Sequence, residues 1–341
     1  MNQMPSFNRP SGNRQIALAK RPAGIPQAGD FEVVTATIPT IEDDRFLVRN
    51  LYLSADPAQR GWAANPDLTP IGAPFRSLAV GVVLESRDPT IKEGDLVYGF
   101  FGWQDYAVAG RQDLLFHTSR PRAPIPAYGG VLGMPGMTAW LALLDLAPPR
   151  EGDAVLVSTA AGAVGSVVGQ IARARGAHVI GLTSSEEKIE RCVTRFGYHA
   201  AYNYRLGNLA ETLAEARPGG FNIYFDNTGG DILDTAIRAM ARHGRIVQCG
   251  TAATASWTPP PTGLRNEREI MARALVWSGF VIFDHGPRFS EAVEQLTDMM
   301  LAGQLNHEEE IDDGLEKAPT ALADLFASAN AGKKLIYIGE D

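Results

Sequence analysis

A glycine-containing turn between a strand pattern and a helix pattern constrains the fold of this chain more than any other feature. Residues 154–158 (AVLVS) form a short apolar run typical of a buried strand, and residues 160–165 (AAGAVG) follow it directly. Behind the turn, Val164, Val167 and Ile171 recur at the spacing of one helix face. This strand–turn–helix unit predicts a parallel sheet covered by helices.

The same alternation continues along the chain. Further strands are predicted at residues 178–182, 223–225, 246–248 and 279–283, with amphipathic helices between them. Ser184 with Glu187 predicts a capping box at the start of the second helix, and Met240 is assigned to a helix that ends at Gly244. The pattern predicts an α/β domain with a doubly wound parallel sheet of the Rossmann type.

The chain before this region has a different pattern. Residues 46–53, 79–85 and 96–98 are predicted to be short strands separated by turns, which indicates a β-rich, partly open barrel. A length of 341 residues agrees with two domains rather than one.

Composition excludes several classes of function. A net charge of −8 argues against binding to nucleic acid or to an anionic membrane, and no apolar run is long enough to span a bilayer. The N-terminal residues lack the apolar core of a signal peptide. Two cysteines, Cys192 and Cys249, cannot build a disulfide framework, so we expect a reducing cytoplasmic location.

The turn at residues 160–165 matches a dinucleotide-binding fingerprint in its second and third glycine positions. Gly162 would let the backbone approach a pyrophosphate, and Gly165 would let the helix pack on the strand. The N-terminus of the helix attracts the anion. A merely tight strand-to-helix turn is the simpler alternative, but its place within alternating strands and helices favours a dinucleotide.

The end of the second predicted strand indicates which dinucleotide is bound. NAD-selective sites place an acidic residue there for the ribose 2′-hydroxyl, whereas this chain has residues 183–185 (TSS). Lys188 and Arg191 follow, and a cation beside hydroxyls suits a 2′-phosphate. Lys188 could also be an ordinary exposed helix lysine. Together with the missing acid, the pattern favours NADP.

No metal site or nucleophile is indicated. Cys192 and Cys249 have no cysteine or histidine neighbours at ligand spacing, which argues against zinc. The sequence also contains no Gly-x-Ser-x-Gly nucleophile elbow. The predicted chemistry therefore depends on an organic cofactor.

Several segments together resemble one known family. They are residues 50–57 (NLYLSADP) with Arg60, 133–139 (GMPGMTA), 160–172 (AAGAVGSVVGQIA), 187–188 (EK), 203–204 (NY), 225–230 (FDNTGG), 279–281 (GFV) and 330–333 (NAGK). With this set the chain resembles the zinc-independent medium-chain dehydrogenases/reductases. Within that superfamily it is similar to the leukotriene B4 dehydrogenase/prostaglandin reductase and alkenal double-bond reductase family. The resemblance covers nearly the whole chain.

The resemblance implies how the chain is divided and assembled. A β-rich, GroES-like partly open barrel domain would comprise residues 1–127 and 306–341, and a Rossmann NADP-binding domain residues 128–305. It also implies a homodimer that pairs edge strands of the nucleotide-binding domain near residues 279–283.

The resemblance further implies roles for individual residues. The residues that would hold the pyrophosphate are Gly162, Ala163, Val164 and Gly165. The residues that would hold the 2′-phosphate end are Lys188 and Tyr204. The residues that would surround the ribose and nicotinamide are Asn227, Cys249, Phe280, Val281 and Asn330. Tyr52 would border the substrate, and we predict an apolar substrate pocket of Tyr52, Trp257 and Phe283.

Simpler interpretations of these residues remain open, and the chain departs from the family pattern. Phe280 and Val281 could be sheet core, Tyr52 a strand aromatic and Asn227 a turn residue. Ala58 stands where the family usually has a tyrosine, and residues 251–257 (TAATASW) lack another tyrosine proposed to orient or protonate the substrate. The catalytic acid is therefore left unassigned.

The implied activity is NADPH-dependent reduction of the carbon–carbon double bond of α,β-unsaturated aldehydes or ketones. Hydride addition to the β-carbon pushes charge onto the carbonyl oxygen, so the protein must hold the reactants and offer hydrogen bonds there. The partner is a small electrophilic molecule. The alternatives are a quinone reductase or zinc-free alcohol dehydrogenase on the same scaffold, and a non-catalytic NADPH-binding protein.

Overall fold

The computed structural model of the protein describes residues 12–254, 259–327 and 332–339. The chain divides into two compact units, one made of residues 134–308 and the other of the residues before and after them. The predicted domain boundaries, after residues 127 and 305, fall a few residues before these divisions. The second unit is thus inserted into the chain of the first.

Strands supply most of the regular structure of the first unit and the central sheet of the second. The strands in chain order are β1 Asn13–Leu18, β2 Phe31–Ala36, β3 Phe46–Ser54, β4 Ala79–Ser86, β5 Leu96–Gly99, β6 Tyr106–Ala109, β7 Leu114–Thr118, β8 Ala154–Ser158, β9 His178–Thr183, β10 Ala200–Asn203, β11 Phe221–Asp226, β12 Met240–Gln248, β13 Val276–Gly279, β14 Glu309–Asp313 and β15 Lys333–Tyr337. The helices are α1 Gln59–Ala64, α2 Met134–Leu146, α3 Gly165–Ala174, α4 Glu186–Thr194, α5 Leu209–Ala216, α6 Gly230–Arg238, α7 Glu267–Arg273, α8 Phe289–Leu301 and α9 Ala318–Phe326. Among the described residues, no helix combines the length and the apolarity that crossing a bilayer requires.

The second unit is built on a parallel sheet in the order β10-β9-β8-β11-β12-β13. Strand β8 is buried along its whole length and pairs with β9 on one side and β11 on the other. The chain order therefore reverses at β8, which is the topological switch point of a doubly wound sheet. The predicted Rossmann class is confirmed.

The first unit is built on a largely antiparallel sheet in the order β14-β15-β3-β4-β5-β7, with β6 also paired to β3. Strands β1 and β2 form a separate antiparallel pair. The core contains Phe46, Phe75 and Trp103, and the Phe75 and Trp103 rings lie 4.6 Å apart. This β-rich unit confirms the second part of the predicted fold class.

Among the described residues of the first unit, two ion pairs are buried on both sides. Arg49 Nη1 lies 3.0 Å from Asp105 Oδ1, while Arg49 Nη2 donates to the Ile338 carbonyl at 2.7 Å. Lys333 Nζ contacts Asp56 Oδ1 at 2.8 Å and donates to the Ala55 carbonyl at 2.6 Å. The Arg49–Asp105 pair joins β3 to the segment before β6, and the Lys333–Asp56 pair joins β15 to the segment directly after β3. A buried charge is costly if its partner is removed.

Three predicted boundaries in the second unit are wrong. The helix predicted to contain Met240 is α6, which ends at Arg238. Met240 begins β12, so neither Met240 nor Gly244 belongs to a helix. The N-cap of α4 is Ser185 rather than Ser184, because the Ser185 hydroxyl accepts from the Lys188 N–H. The strand expected at residues 279–283 is β13, which ends at Gly279, and a 3-10 segment occupies Ile282–Arg288.

Candidate functional site

The turn between β8 and α3 is closed so tightly that its last position admits only glycine. A Cβ atom on Gly165 would lie 2.3 Å from the Thr159 carbonyl oxygen and 3.0 Å from Ala160 Cα, both backbone atoms. At Gly162 a Cβ would lie 2.9 Å from Thr159 Cγ2. Gly162, Ala163 and Val164 are partly exposed, so the turn presents its backbone to solvent at the start of α3.

Thr159 holds an unusual conformation at the start of this turn. Its φ of 51° is in the left-handed region, which a β-branched residue rarely adopts. The Thr159 and Thr228 hydroxyl oxygens lie 3.0 Å apart, joining the turn to the segment after β11. Strain of this kind concentrates at functional sites. The sequence pattern did not indicate Thr159.

The first turn of α3 is held by a buried phenol from a distant part of the sequence. Tyr198 Oη donates to the Gly165 carbonyl oxygen at 2.6 Å. A Cβ on Gly169 would lie 2.3 Å from the Tyr198 ring, and one on Gly181 would lie 3.1 Å from it. Burial raises the pKa of Tyr198 well above its ordinary value, so the phenol stays a donor.

Asp226 is a buried carboxylate at the end of β11 that organises three strand ends. Its oxygens accept hydrogen bonds from Ser158 Oγ at 2.9 Å and from Gln248 Nε2 at 2.7 Å. The Thr228 and Gly229 N–H groups donate to it at 2.9 and 3.0 Å, and Tyr224 Oη at 2.8 Å. Because β8, β11 and β12 each contribute a donor, this carboxylate fixes their relative positions.

Asn227 and Cys249 follow the ends of β11 and β12. The Asn227 Nδ2 group donates to the Ser158 carbonyl at 2.8 Å, and the Cys249 N–H donates to the Asp226 carbonyl at 2.8 Å. Burial, and secondarily the Asp226 charge, raises the pKa of the Cys249 thiol to about 12, although part of the residue reaches solvent. Cys249 is thus a neutral thiol at physiological pH.

The edge formed by the ends of β9 and β10 carries the residues predicted for the 2′-phosphate. Register pairs Asn203 with Thr183, so α4 and the 3-10 turn Tyr204–Leu206 begin next to each other. Lys188 and Tyr204 are both half-buried. Burial, and then the charge of Arg205, lowers the pKa of Lys188.

Arg191, the other cation that the sequence pattern indicated after β9, is engaged in ion pairs. Its guanidinium forms an ion pair with Glu308 and lies 3.7 Å from Glu187. Arg195 also contacts Glu308, at 3.3 Å. The Arg191 guanidinium is therefore already paired with a carboxylate of the same unit. Lys188 is the better candidate for binding an anion.

Phe280, Val281 and Phe283 lie beyond β13 and outside the sheet core. Val281 is 56% exposed and Phe283 44%, which contradicts the core interpretation of Val281. The partly exposed Phe280 ring stacks on His285 at a centroid distance of 4.6 Å, and the Phe280 N–H donates to the Gln248 carbonyl at 3.1 Å. Phe280 is therefore held at the carboxyl end of β12.

Tyr52 lies on β3 in the first unit, where it is the register partner of Tyr337 on β15. The two ring centroids are 5.1 Å apart. Burial, with a smaller contribution from Tyr337, raises the pKa of Tyr52, so its hydroxyl stays protonated near neutral pH. Tyr337 was not indicated by the sequence pattern. Trp257 and Asn330 lie outside the described residues.

The described candidates of the second unit gather at one edge of its sheet. The glycine turn follows β8, Lys188 follows β9, Tyr204 follows β10, Asn227 follows β11 and Cys249 follows β12. In parallel sheets the carboxyl ends of the strands are where ligands bind. Among the described residues, no group of three or more histidines, cysteines or carboxylates could hold a metal ion.

A parallel sheet in this order, with a glycine turn after its first strand, defines the class of Rossmann nucleotide-binding proteins. Residues 14–116 match the family described as the N-terminal domain of oxidoreductase, and residues 163–299 match the family described as zinc-binding dehydrogenase.

Relatives match over almost the full length of the chain. The 2-alkenal reductase (NADP(+)-dependent) of Nicotiana tabacum is 34% identical over 339 residues, covering 96% of this chain and 98% of the relative. Prostaglandin reductase 1 of Sus scrofa is 33% identical over 323 residues, covering 94% of this chain and 97% of the relative. The crystal structure of CurA in complex with NADPH from Vibrio vulnificus is 33% identical, with a TM-score of 0.87 over 96% of this chain and 100% of that one. The chain belongs to the zinc-independent medium-chain dehydrogenase/reductase family of prostaglandin and alkenal reductases.

Proposed function

We propose that the protein is an NADPH-dependent reductase that transfers hydride to the carbon–carbon double bond of α,β-unsaturated aldehydes or ketones. The observation that carries the proposal is the alignment of the glycine turn, Asn227, Cys249 and the Lys188–Tyr204 pair along one edge of the parallel sheet. The relative from Nicotiana tabacum, whose name states both NADP dependence and alkenal reduction, supports it along nearly the whole chain.

The residues present fit an NADP molecule along this edge. The missing side chain at Gly165 lets α3 begin directly against the end of β8, and the partly exposed residues 162–164 would meet the pyrophosphate at the N-terminus of α3. Lys188 and Tyr204 would hold the 2′-phosphate, and Asn227, Cys249, Phe280 and Val281 would surround the ribose and nicotinamide. Asn330 is proposed for the same region. When bound, the nicotinamide supplies the hydride.

The protein's own contribution to the reaction is positioning and hydrogen bonding. A protonated Tyr52 can donate a hydrogen bond to a carbonyl oxygen as negative charge develops on it. Phe283 and Trp257 are proposed to supply apolar surface for the substrate. Cys249 is a neutral thiol, so it contributes surface rather than a nucleophile. No residue is assigned as the proton donor to the α-carbon.

The reaction is tested by following NADPH and NADH oxidation with enals, enones, quinones and saturated ketones. We expect turnover with enals or enones and NADPH. Lys188→Ala should raise the dissociation constant for NADPH roughly 10- to 100-fold, because a hydrogen bond to a charged group is worth about 1.5–3 kcal/mol. NADH binding should change little.

Lys92→Ala is the matched control, since Lys92 is exposed and its ammonium group donates to the nearby Pro89 carbonyl. Turnover of quinones alone would indicate a quinone reductase. Activity only on alcohol–ketone pairs would indicate a zinc-free alcohol dehydrogenase. Binding of NADPH with no turnover of any electrophile would reject the reductase proposal.

We propose that the chain forms a homodimer through β13. This strand is an edge of the parallel sheet, and Val276, Trp277 and Val281 are 55%, 43% and 56% exposed there. Met271 on the neighbouring α7 is 74% exposed. An exposed apolar strand at a sheet edge favours pairing with a second chain.

Val276→Lys is expected to shift the protein from dimer to monomer in sedimentation velocity, because a lysine on an edge strand opposes pairing. Val33→Lys is a matched control, since Val33 is 58% exposed on β2 in the other unit. A monomeric wild-type protein, or a variant that stays dimeric, would contradict this arrangement.

We also propose a reducing, cytoplasmic location. Both cysteines are free thiols, and burial raises the pKa of Cys192 to about 12, as for Cys249. Thiols of this kind resist oxidation and suit a structure without disulfides.

A further inference from the structure

The edge that carries Lys188 has a second cationic side chain, Arg205, which no sequence pattern indicated. Arg205 follows β10 in the 3-10 turn Tyr204–Leu206, and its N–H donates to Asn203 Oδ1 at 3.0 Å. Asn203 is in turn the register partner of Thr183, the last residue of β9 before α4 begins. The backbone at Arg205 is thereby fixed beside the first turn of α4.

The Arg205 side chain stays near this edge. Its guanidinium carbon lies 6.0 Å from the centroid of the Tyr204 ring, while the residue as a whole is exposed. The charge of Arg205 lowers the pKa of the half-buried Lys188, second only to burial, and Glu187 acts in the opposite direction. Arg191 also lowers that pKa, but its guanidinium is paired with Glu308.

We propose that Arg205 is a specificity-determining residue that binds the 2′-phosphate of NADP together with Lys188 and Tyr204. The inference rests on the proposed function. It adds a second cation beside Lys188, in place of Arg191, which the sequence pattern also indicated and whose guanidinium is paired with Glu308.

The chemistry of the phosphate explains why two cations are needed. A phosphate monoester carries about −1.5 to −2 charges near neutral pH, so one ammonium group leaves it partly uncompensated. A guanidinium presents parallel N–H donors that match two phosphate oxygens, whereas a lysine acts as a point charge. Repulsion between Lys188 and Arg205 is relieved when a doubly charged anion binds between them.

The test compares fragments that differ only in the 2′-phosphate. We expect wild-type protein to bind 2′,5′-ADP much more tightly than 5′-AMP in isothermal titration calorimetry. Arg205→Gln should weaken 2′,5′-ADP binding about 5- to 20-fold and leave 5′-AMP binding within twofold. Arg205→Lys should recover part of the loss, since it restores the charge without the paired donors.

Arg175→Gln provides the matched control. Arg175 is exposed at the C-terminal end of α3, which places the same charge change at the opposite end of that helix from the glycine turn. It should leave both fragments unaffected, and all variants should keep the wild-type melting temperature.

Two results would overturn the assignment, and they are distinguishable. If Arg205→Gln binds 2′,5′-ADP within twofold of wild type, Arg205 has no role in recognising the phosphate, and the NADPH proposal stands. If wild-type protein does not prefer 2′,5′-ADP over 5′-AMP, the 2′-phosphate site itself is wrong, and the proposed NADPH dependence fails with it.

Discussion

Gly165→Ala is expected to weaken dinucleotide binding about 10- to 100-fold, because the added methyl group collides with the backbone of the glycine turn. Its Cβ would lie 2.3 Å from the Thr159 carbonyl oxygen, so α3 must move away from β8. Overpacking of this kind costs about 1–3 kcal/mol, and the moved helix N-terminus no longer points at the pyrophosphate. Titration with NADPH, followed by the change in its fluorescence, measures the loss.

Gly219→Ala is the matched control for this variant. Nothing lies within 4 Å of a Cβ at Gly219, and the residue is exposed in the same unit. Its NADPH affinity should equal that of wild type. Wild-type affinity in Gly165→Ala would mean that the turn after β8 does not hold the pyrophosphate.

The second large effect is expected at Asp226. Asp226→Ala should lower the free energy of unfolding by about 4 kcal/mol, because buried donors from Ser158, Tyr224 and Gln248 lose a charged acceptor. NADPH affinity should also fall, since Asn227 and the Thr228 segment lose the carboxylate that positions them. Urea unfolding at neutral pH measures the change in the free energy of unfolding.

Asp231→Ala is the comparison for Asp226→Ala. Asp231 is exposed in the first turn of α6, only five residues further along the chain. Its removal should cost less than about 1 kcal/mol, the usual size of a helix-terminus charge effect. A stability loss of similar size in the two variants would show that the buried carboxylate does not organise the strand ends.

The sequence pattern predicts the class of fold because strand and helix periodicities differ strongly here. Strand β8 is apolar at every position, as expected of a strand buried on both faces, while α3 repeats its apolar residues at helical spacing. Alternation of these two patterns predicts an α/β fold with a parallel sheet. The position of the glycine turn after the first strand follows from the same reasoning.

The three wrong element boundaries in the second unit lie where the local sequence fits more than one structure. By sequence, Met240 could equally be the last apolar residue of a helix face or the first residue of a strand. The structure places it in β12. Two consecutive serines precede α4, and only the hydrogen bond from the Lys188 N–H identifies Ser185 as the cap. Residues 279–283 are apolar in sequence, but the chain leaves the sheet after Gly279.

The parts of the candidate site that the sequence did not reveal depend on contacts between distant residues. Tyr198 reaches Gly165 across 33 positions, and Ser158 reaches Asp226 across 68. Arg205 becomes relevant only because β9 and β10 pair in register, which brings it next to Lys188. No local periodicity or spacing encodes such proximity.

The sheet of the first unit has a consequence for synthesis of the protein. Strand β15 lies between β14 and β3, and Lys333 supplies the cation that neutralises Asp56. During synthesis, residues 46–56 therefore hold an uncompensated carboxylate and lack a neighbouring strand until residues 333–337 have been made. The inserted Rossmann unit, which is continuous in sequence, can meanwhile complete its own sheet. The sheet whose synthesis starts before the inserted unit is thus completed only after that unit.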